Sequence, residues 1–135
     1  MSLRATARRR GDSLRQEVRI GEHTIVTDEP EAWGGTGAGP SPQELLAASL
    51  ASCTATTMAM YARYRDWDIG EIEVDVKYDG HAHPKRFAVT ITLPDALEPE
   101  RRERLLVAAS RCMVRQTLEG DVVFEEAARS EATAR

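Results

Sequence analysis

Cys53 and Cys112 are the only two thiols in the 135 residues, and they stand 59 positions apart. Two cysteines at that separation can form one long-range redox couple. They are too few for a disulfide scaffold and cannot by themselves make a zinc site. The chemistry of such a couple begins with a thiolate, which attacks peroxides where a thiol scarcely does. Oxidation of Cys53 by a hydroperoxide would give a sulfenic acid, which Cys112 could capture as a disulfide. An external dithiol must then reduce that disulfide to close the cycle. The bland alternative is two unrelated buried cysteines acting as small hydrophobes, and composition alone favours it.

A mid-helix cysteine gets little help from its own helix terminus, so Cys53 is expected to need a nearby cation. Arg9, Arg10, Arg15 and Arg19 are candidates from the N-terminal region, and Arg111 and Arg115 from beside Cys112. Glu44 precedes Cys53 by nine positions, about 13–14 Å along a helix axis. It cannot touch the thiol, but it could orient an arginine that reaches back over it.

The elements that must position these groups can be read from periodicity. Leu3–Arg8, Leu14–Ile20 and His23–Thr27 alternate apolar and polar residues between Gly11-Asp12 and Gly21-Glu22 turns, which predicts an antiparallel meander over residues 1–27. Residues 28–42 carry Gly34, Gly35, Gly37 and Gly39 among three prolines and read as a flexible connector that permits close backbone approach. No Gly-Lys-Ser/Thr follows, so this is not a phosphate-binding loop. Ser41, Pro42 and Glu44 form a capping-box helix start. The helix should run to about Arg65. It is uncharged between Glu44 and Arg63, which predicts a central helix buried almost all round.

Ile69–Tyr78 and Phe87–Leu93 alternate as two further strands around a His81-x-His83 loop. Glu98–Ser110 is an amphipathic helix whose charged first turns form a solvated face. Cys112–Leu118 continues it or forms a short helix of its own. Asp121–Glu125 is expected to be a last strand, and Ala127–Arg135 a polar tail. The sum is a single α+β domain with mainly antiparallel pairing, its helix–sheet core spanning residues 43–126. The small first meander beside so apolar a helix hints at a dimer.

Composition narrows the function. With 41% hydrophobic and 30% charged residues and a net charge of −4, the chain reads as soluble and globular. No broad attraction to nucleic acid or anionic membrane is expected, and the Arg8-Arg9-Arg10 run reads as a strand end or turn. No run of roughly 18 apolar residues is present, nor the apolar core of a secretory signal at the N-terminus. A cytoplasmic, reducing location is the expectation, where a cysteine pair is more often catalytic or redox-sensing than a permanent staple. His81 and His83 lack enough further ligands for a metal and read as a polar turn. Met58, Met60 and Met113 suit gap filling. Trp33 and Trp67 suit core or interface packing, or the wall of an apolar pocket.

One further signal is the run Gly39-Pro40-Ser41-Pro42-Gln43-Glu44-Leu45-Leu46-Ala47-Ala48-Ser49-Leu50-Ala51-Ser52-Cys53-Thr54, followed by Met58 and Tyr61-Ala62. With Arg111-Cys112-Met113-Val114-Arg115-Gln116-Thr117-Leu118-Glu119-Gly120, it resembles the OsmC/Ohr family of thiol peroxidases. The second stretch is similar to that family's Cys-Pro-Val-His-x-Thr-Leu pattern, with Met113 for proline and Arg115 for histidine. The resemblance implies an intertwined homodimer with Cys53 as the peroxidatic and Cys112 as the resolving thiol. It also implies a catalytic arginine in the N-terminal meander, where Arg10 and Arg15 both fit; Arg15 is preferred because it falls within an expected strand, the alternative being an ordinary solvated strand charge. It further implies antioxidant, stress-response reduction of organic hydroperoxides without metal or bound cofactor, and an external dithiol reductant of the kind a lipoyl protein supplies. The family's best-known branches carry a glutamate ten positions before the reactive cysteine, where this chain has Gln43. The alternative on the same fold is a non-catalytic small-molecule-binding or redox-sensing protein.

Overall fold

The computed structural model describes residues 3–131. Three short strands come first: β1 (Ala5–Arg9), β2 (Gln16–Ile20) and β3 (His23–Thr27). They form an antiparallel meander in which Ala7 faces Val18 and Val18 faces Ile25. The sheet covers little of the chain's own core, and Ile20 and Val26 on it remain exposed, as does Leu14 in the turn before β2. A single turn of 3₁₀ helix (Glu31–Trp33) leads into the long helix α1 (Pro42–Tyr64).

Ser41 and Glu44 start α1 by a reciprocal capping box. The Ser41 amide donates to Glu44 Oε1 at 3.0 Å, and the Glu44 amide donates to Ser41 Oγ at 3.1 Å. Pro42 has no N–H to satisfy at the first helical position. The Ala- and Leu-rich sequence then propagates the helix. It stops where Asp66 adopts a left-handed φ of 55° and the Trp67 amide donates back to the Ala62 carbonyl at 2.9 Å.

Strands β4 (Glu73–Asp79) and β5 (Arg86–Thr92) form a second antiparallel hairpin. Val74, Val76 and Tyr78 alternate onto its partly buried face. Tyr78 stacks on its cross-strand partner Phe87 with ring centroids 4.6 Å apart. Helix α2 (Pro99–Ala109) and a separate short helix α3 (Met113–Glu119) complete the order. The core lies where α1, α2 and the strand ends meet: Met58, Ala62, Ile69, Leu93, Leu105 and Ala109, with Tyr61, Trp67, Ile72 and Ile91 against them. Arg65 and Arg101 lie over the aromatic edge of this cluster, 3.7 Å from the Tyr61 ring and 4.9 Å from the Trp67 ring.

The α+β class and the antiparallel pairing match the reading from sequence, and four local features differ. Helix α1 is buried along one row only, Leu50, Thr54, Met58 and Ala62; Ser52, Thr56, Met60 and Tyr64 face outward, because one chain has nothing to cover that side. By length and composition alone α1 could cross a membrane, but its buried row packs against β4, α2 and α3 as a core helix does. Residues 121–125 form no strand, having no neighbour to complete a ladder, and Val123 and Phe124 are more than 80% exposed. Strand β2 begins at Gln16, so Arg15 precedes it rather than sitting within it. Cys112 is the N-cap of α3 and not a residue inside a helix. Of the expected tail, residues 132–135 lie outside the described residues.

Met58 and Leu105 are fully buried in this core. Leu105→Ala should lower the unfolding free energy by about 2–5 kcal/mol through lost transfer energy and a residual cavity. Urea unfolding of the two proteins checks this, and an unchanged midpoint would place Leu105 outside the cooperative core.

Candidate active site

The entry to α1 is set by a carboxylate that patterning did not single out. Asp28, at the end of β3, is only 2% exposed. Its Oδ1 accepts the Glu29 amide at 2.8 Å, and its Oδ2 accepts the Thr36 hydroxyl at 2.6 Å and the amides of Thr36 and Ala38 at 3.1 Å each. Its own amide donates to the Pro40 carbonyl at 3.1 Å. The loop read as flexible is therefore wound around one charge. Gly35 and Gly39 are required there, since a Cβ would collide with the Glu29 and Val26 carbonyl oxygens respectively. The Thr36 hydroxyl is the largest influence on Asp28 and, with the three amides, lowers its pKa from 3.8 to about 2 against the opposing effect of burial. The legible signal was an aspartate closing a strand ahead of a threonine- and glycine-containing loop.

The two thiols meet where α3 begins. Cys112 is fully buried, and its Sγ caps α3 by accepting the Arg115 amide at 3.3 Å. Thr54 Oγ1 lies 3.6 Å from the same sulfur. The Thr54 hydroxyl also has the Leu50 carbonyl as an acceptor at 2.7 Å. Cys53 is half-buried on α1. Burial is the largest single influence on its thiol and pushes the pKa up. The Val114 amide, the Cys112 side chain, the Met113 amide and the Thr57 hydroxyl favour the thiolate and together bring the pKa below the ordinary value. Thr57 is the weakest of the four, because its hydroxyl also donates to the Cys53 carbonyl at 2.7 Å.

Of the four residues singled out from sequence, the fold brings together Cys53 and Cys112. Both thiols are free. Arg15 lies exposed in the turn before β2, its amide donating to Ser13 Oγ at 3.3 Å. Glu44 serves the capping box, whose Ser41 amide and hydroxyl lower its pKa. Gln43 is exposed beside it. No arginine is among the groups that shift Cys53. Sequence reasoning also missed the Met113 and Val114 amides, which carry no side-chain signal. Thr54 and Thr57 could have been found as hydroxyls one and four positions after the cysteine on an apolar helix.

The match with known proteins follows the same residues. A family model described as OsmC-like protein matches residues 35–127. The chain belongs to the OsmC-like family. A solved structure from Psychrobacter arcticus, provisionally named an osmotic stress induced and detoxification response protein, is 30% identical. The match covers 84% of this chain and 85% of that one, with a TM-score of 0.71. The organic hydroperoxide resistance protein OhrB of Bacillus subtilis shares the fold at 24% identity, over 90% of this chain and 93% of its own, with a TM-score of 0.57. An OsmC like protein from Mycoplasma pneumoniae does so at 19% identity, covering 89% of each chain, with a TM-score of 0.73. Among curated proteins no match was found.

Two grooves lie along α1, and Cys53 lines neither of them. One, of about 650 Å³, is lined by Leu46, Leu50, Phe87, Val89 and Leu118, with Lys85 and Arg115 at its edge. The other, of about 630 Å³, runs past Thr57 and Tyr61 between Arg65, Arg104 and Arg111. Leu46 and Leu50 precede Cys53 by seven and three positions and Thr57 follows it by four, so all lie on one side of the helix. Neither tryptophan lines them: Trp67 packs against the core, and Trp33 borders a separate cleft with Glu29 and Gln43. Among the described residues no group of three or more His, Cys, Asp or Glu could hold a metal ion.

The loop around Asp28 generates a pH prediction. Its folded-state pKa of about 2 lies below the unfolded 3.8, so its contribution to stability is complete above about pH 4 and is lost as pH falls through about 2. Asp28→Asn should lower the thermal midpoint by several degrees at neutral pH, and the gap from the parent protein should narrow towards pH 2. Thermal unfolding across that range measures it, and a gap that stays constant would remove Asp28's charge as the organiser of the loop.

Proposed function

We propose that this chain is a two-cysteine thiol peroxidase that reduces organic hydroperoxides to alcohols. The observation that carries the reading is the closeness of two free thiols from distant parts of the chain, with neighbouring donors that lower the pKa of Cys53. The Cys53 thiolate would attack the distal oxygen of an alkyl hydroperoxide. The O–O bond breaks, the alkoxide takes a proton and leaves as the alcohol, and Cys53 becomes a sulfenic acid. Cys112 sulfur then attacks the sulfenic sulfur, water leaves, and a Cys53–Cys112 disulfide forms. A dithiol, such as a lipoyl group on a partner protein, supplies the two electrons that restore both thiols. Such a cycle suits a reducing, cytoplasmic setting.

The apolar groove along Leu46 and Leu50 suits the alkyl part of the substrate. A homodimer is part of the same reading. The uncharged outward side of α1, with Ser52, Thr56 and Met60, and the exposed Val122-Val123-Phe124 segment are the surfaces a second copy would cover. A partner's meander could also bring a cation such as Arg15 to Cys53, with Glu44 or Gln43 to orient it. Among the described residues no arginine is one of the groups that shift Cys53, which favours one second reading, a redox-sensing or small-molecule-binding protein with slow thiol chemistry.

One equivalent of an alkyl hydroperoxide added to the reduced protein separates the two. The peroxidase should lose both thiols and about 2 Da per chain within seconds. Cys53→Ser should abolish this, and Cys112→Ser should instead stop at a sulfenic acid that a dimedone-type reagent traps. Slow oxidation, or stepwise gain of oxygen without a disulfide in the parent protein, would support the sensing or binding reading.

A further inference from the structure

Cys112 Sγ lies wholly out of solvent, so bulk water cannot answer a charge that develops on it. Donors reach it from two elements. The Arg115 backbone amide donates at 3.3 Å, and that donor cannot turn away. From α1, the Thr54 hydroxyl lies at 3.6 Å and can donate as well. Thr54 is itself only 3% exposed, in the row that packs α1 onto the core. Its single hydroxyl proton has a second acceptor, the Leu50 carbonyl at 2.7 Å. A helix already supplies that carbonyl with the backbone amide four positions on, so the Leu50 oxygen does not depend on the hydroxyl.

We propose that Thr54 is a two-position donor that serves the Cys112 sulfur while the disulfide closes. In the reduced pair a neutral thiol sulfur is a weak acceptor, and the proton belongs on the Leu50 oxygen. During closure Cys112 attacks the oxidised Cys53 sulfur. With a sulfenic acid there, the S–S bond forms, the S–O bond breaks, and the Cys112 proton leaves with the hydroxyl group as water. As the Cys112 S–H bond breaks, its sulfur gains negative charge and becomes the stronger acceptor. Rotation about the Thr54 Cβ–Oγ1 bond then turns the proton from oxygen to sulfur without moving a heavy atom. The role rests on the two-thiol reading above, but closure can be measured without a peroxide.

A small neutral disulfide, dithiodipyridine, tests it on the reduced full chain. Cys53, the less buried thiol, attacks the reagent and releases a thiopyridone. Cys112 then attacks the mixed disulfide on Cys53, a second thiopyridone leaves, and the proton goes to the buffer. Absorbance follows both releases, and Cys112→Ser, which stops after the first, identifies the phases. Thr54→Val keeps the branched shape and removes the hydroxyl, whereas Thr54→Ser keeps the hydroxyl and removes the methyl group. Thr54→Val should slow the second phase about tenfold, the worth of one hydrogen bond to a charged group, and leave the first phase unchanged. Thr54→Ser should close at nearly the parent rate. If Thr54 only fills space, the order reverses, since serine leaves a cavity there and valine does not. That order, or a valine variant as fast as the parent, would overturn the proposal. Thermal midpoints check folding; should the valine variant fail, Thr54→Ala against Thr54→Ser repeats the comparison, and equal rates for that pair would overturn it too.

The same proteins separate this role from the peroxidase reading. Hydroxyl-dependent closure without turnover of an alkyl hydroperoxide would remove the peroxidase and leave Thr54 in place. Turnover with closure indifferent to the hydroxyl would keep the peroxidase and remove the role. Release of a single thiopyridone by the parent would remove the thiol couple, and both readings with it.

Discussion

A sulfur atom, not an oxygen, caps α3, and the site depends on that contact. Cys112 Sγ accepts the Arg115 amide while lying wholly out of solvent. Serine, threonine or aspartate would cap more strongly, since thiol sulfur is a weak acceptor. The weaker cap is compatible with a sulfur that must also react. Because the cap residue immediately precedes the helix, fixing Cys112 fixes the next two amides as well, and those amides are among the groups that favour the Cys53 thiolate. Structure and chemistry here share one helical turn, and a shift of α3 along α1 would disturb both sulfurs together.

The other half of the pair is fixed from the opposite end of α1. Cys53 lies three turns into a helix whose start is held twice, by the Ser41–Glu44 box and by the loop closed on Asp28. A buried aspartate with four donors is costly to move, because each displaced N–H or O–H would lose a charged acceptor without gaining water. That holds the entry to α1, and the row Leu50, Thr54, Met58 and Ala62 against β4, α2 and α3 holds its rotation. Thr54 in this row is itself a contact of Cys112, so the packing that orients α1 also sets the separation of the two thiols.

Much of this was legible in sequence for a clear reason: features encoded in side-chain type and spacing announce themselves. The capping box, the hairpins and the cysteine pair are of that kind. What escaped was encoded in backbone or in context. The Met113 and Val114 amides have no residue signature. Asp28 looked like any turn aspartate until the loop folded back over it. Uniform low polarity along α1 predicted burial on all sides, yet a single chain covers only one row, since apolar patterning records every surface that needs cover and not which molecule provides it. The same limit applies to residues 121–125: alternation can mark a strand, but a strand exists only where another offers its amides and carbonyls.

The balance at Cys53 bears on how such a thiol would work. Burial opposes ionisation, and several neutral donors overcome it only in sum. A full positive charge beside the sulfur would lower the pKa further, but a thiolate made too stable is a poorer nucleophile, because intrinsic nucleophilicity falls with pKa. Dipolar donors therefore trade some thiolate population for reactivity per thiolate. An apolar group filling the groove along Leu46 and Leu50 would displace water held there beside Lys85 and Arg115. Excluding that water would strengthen the same amide contacts as the local dielectric falls. Occupancy of the groove and activation of the sulfur would then reinforce one another, which ties the apolar surface beside Cys53 to the chemistry of the thiol.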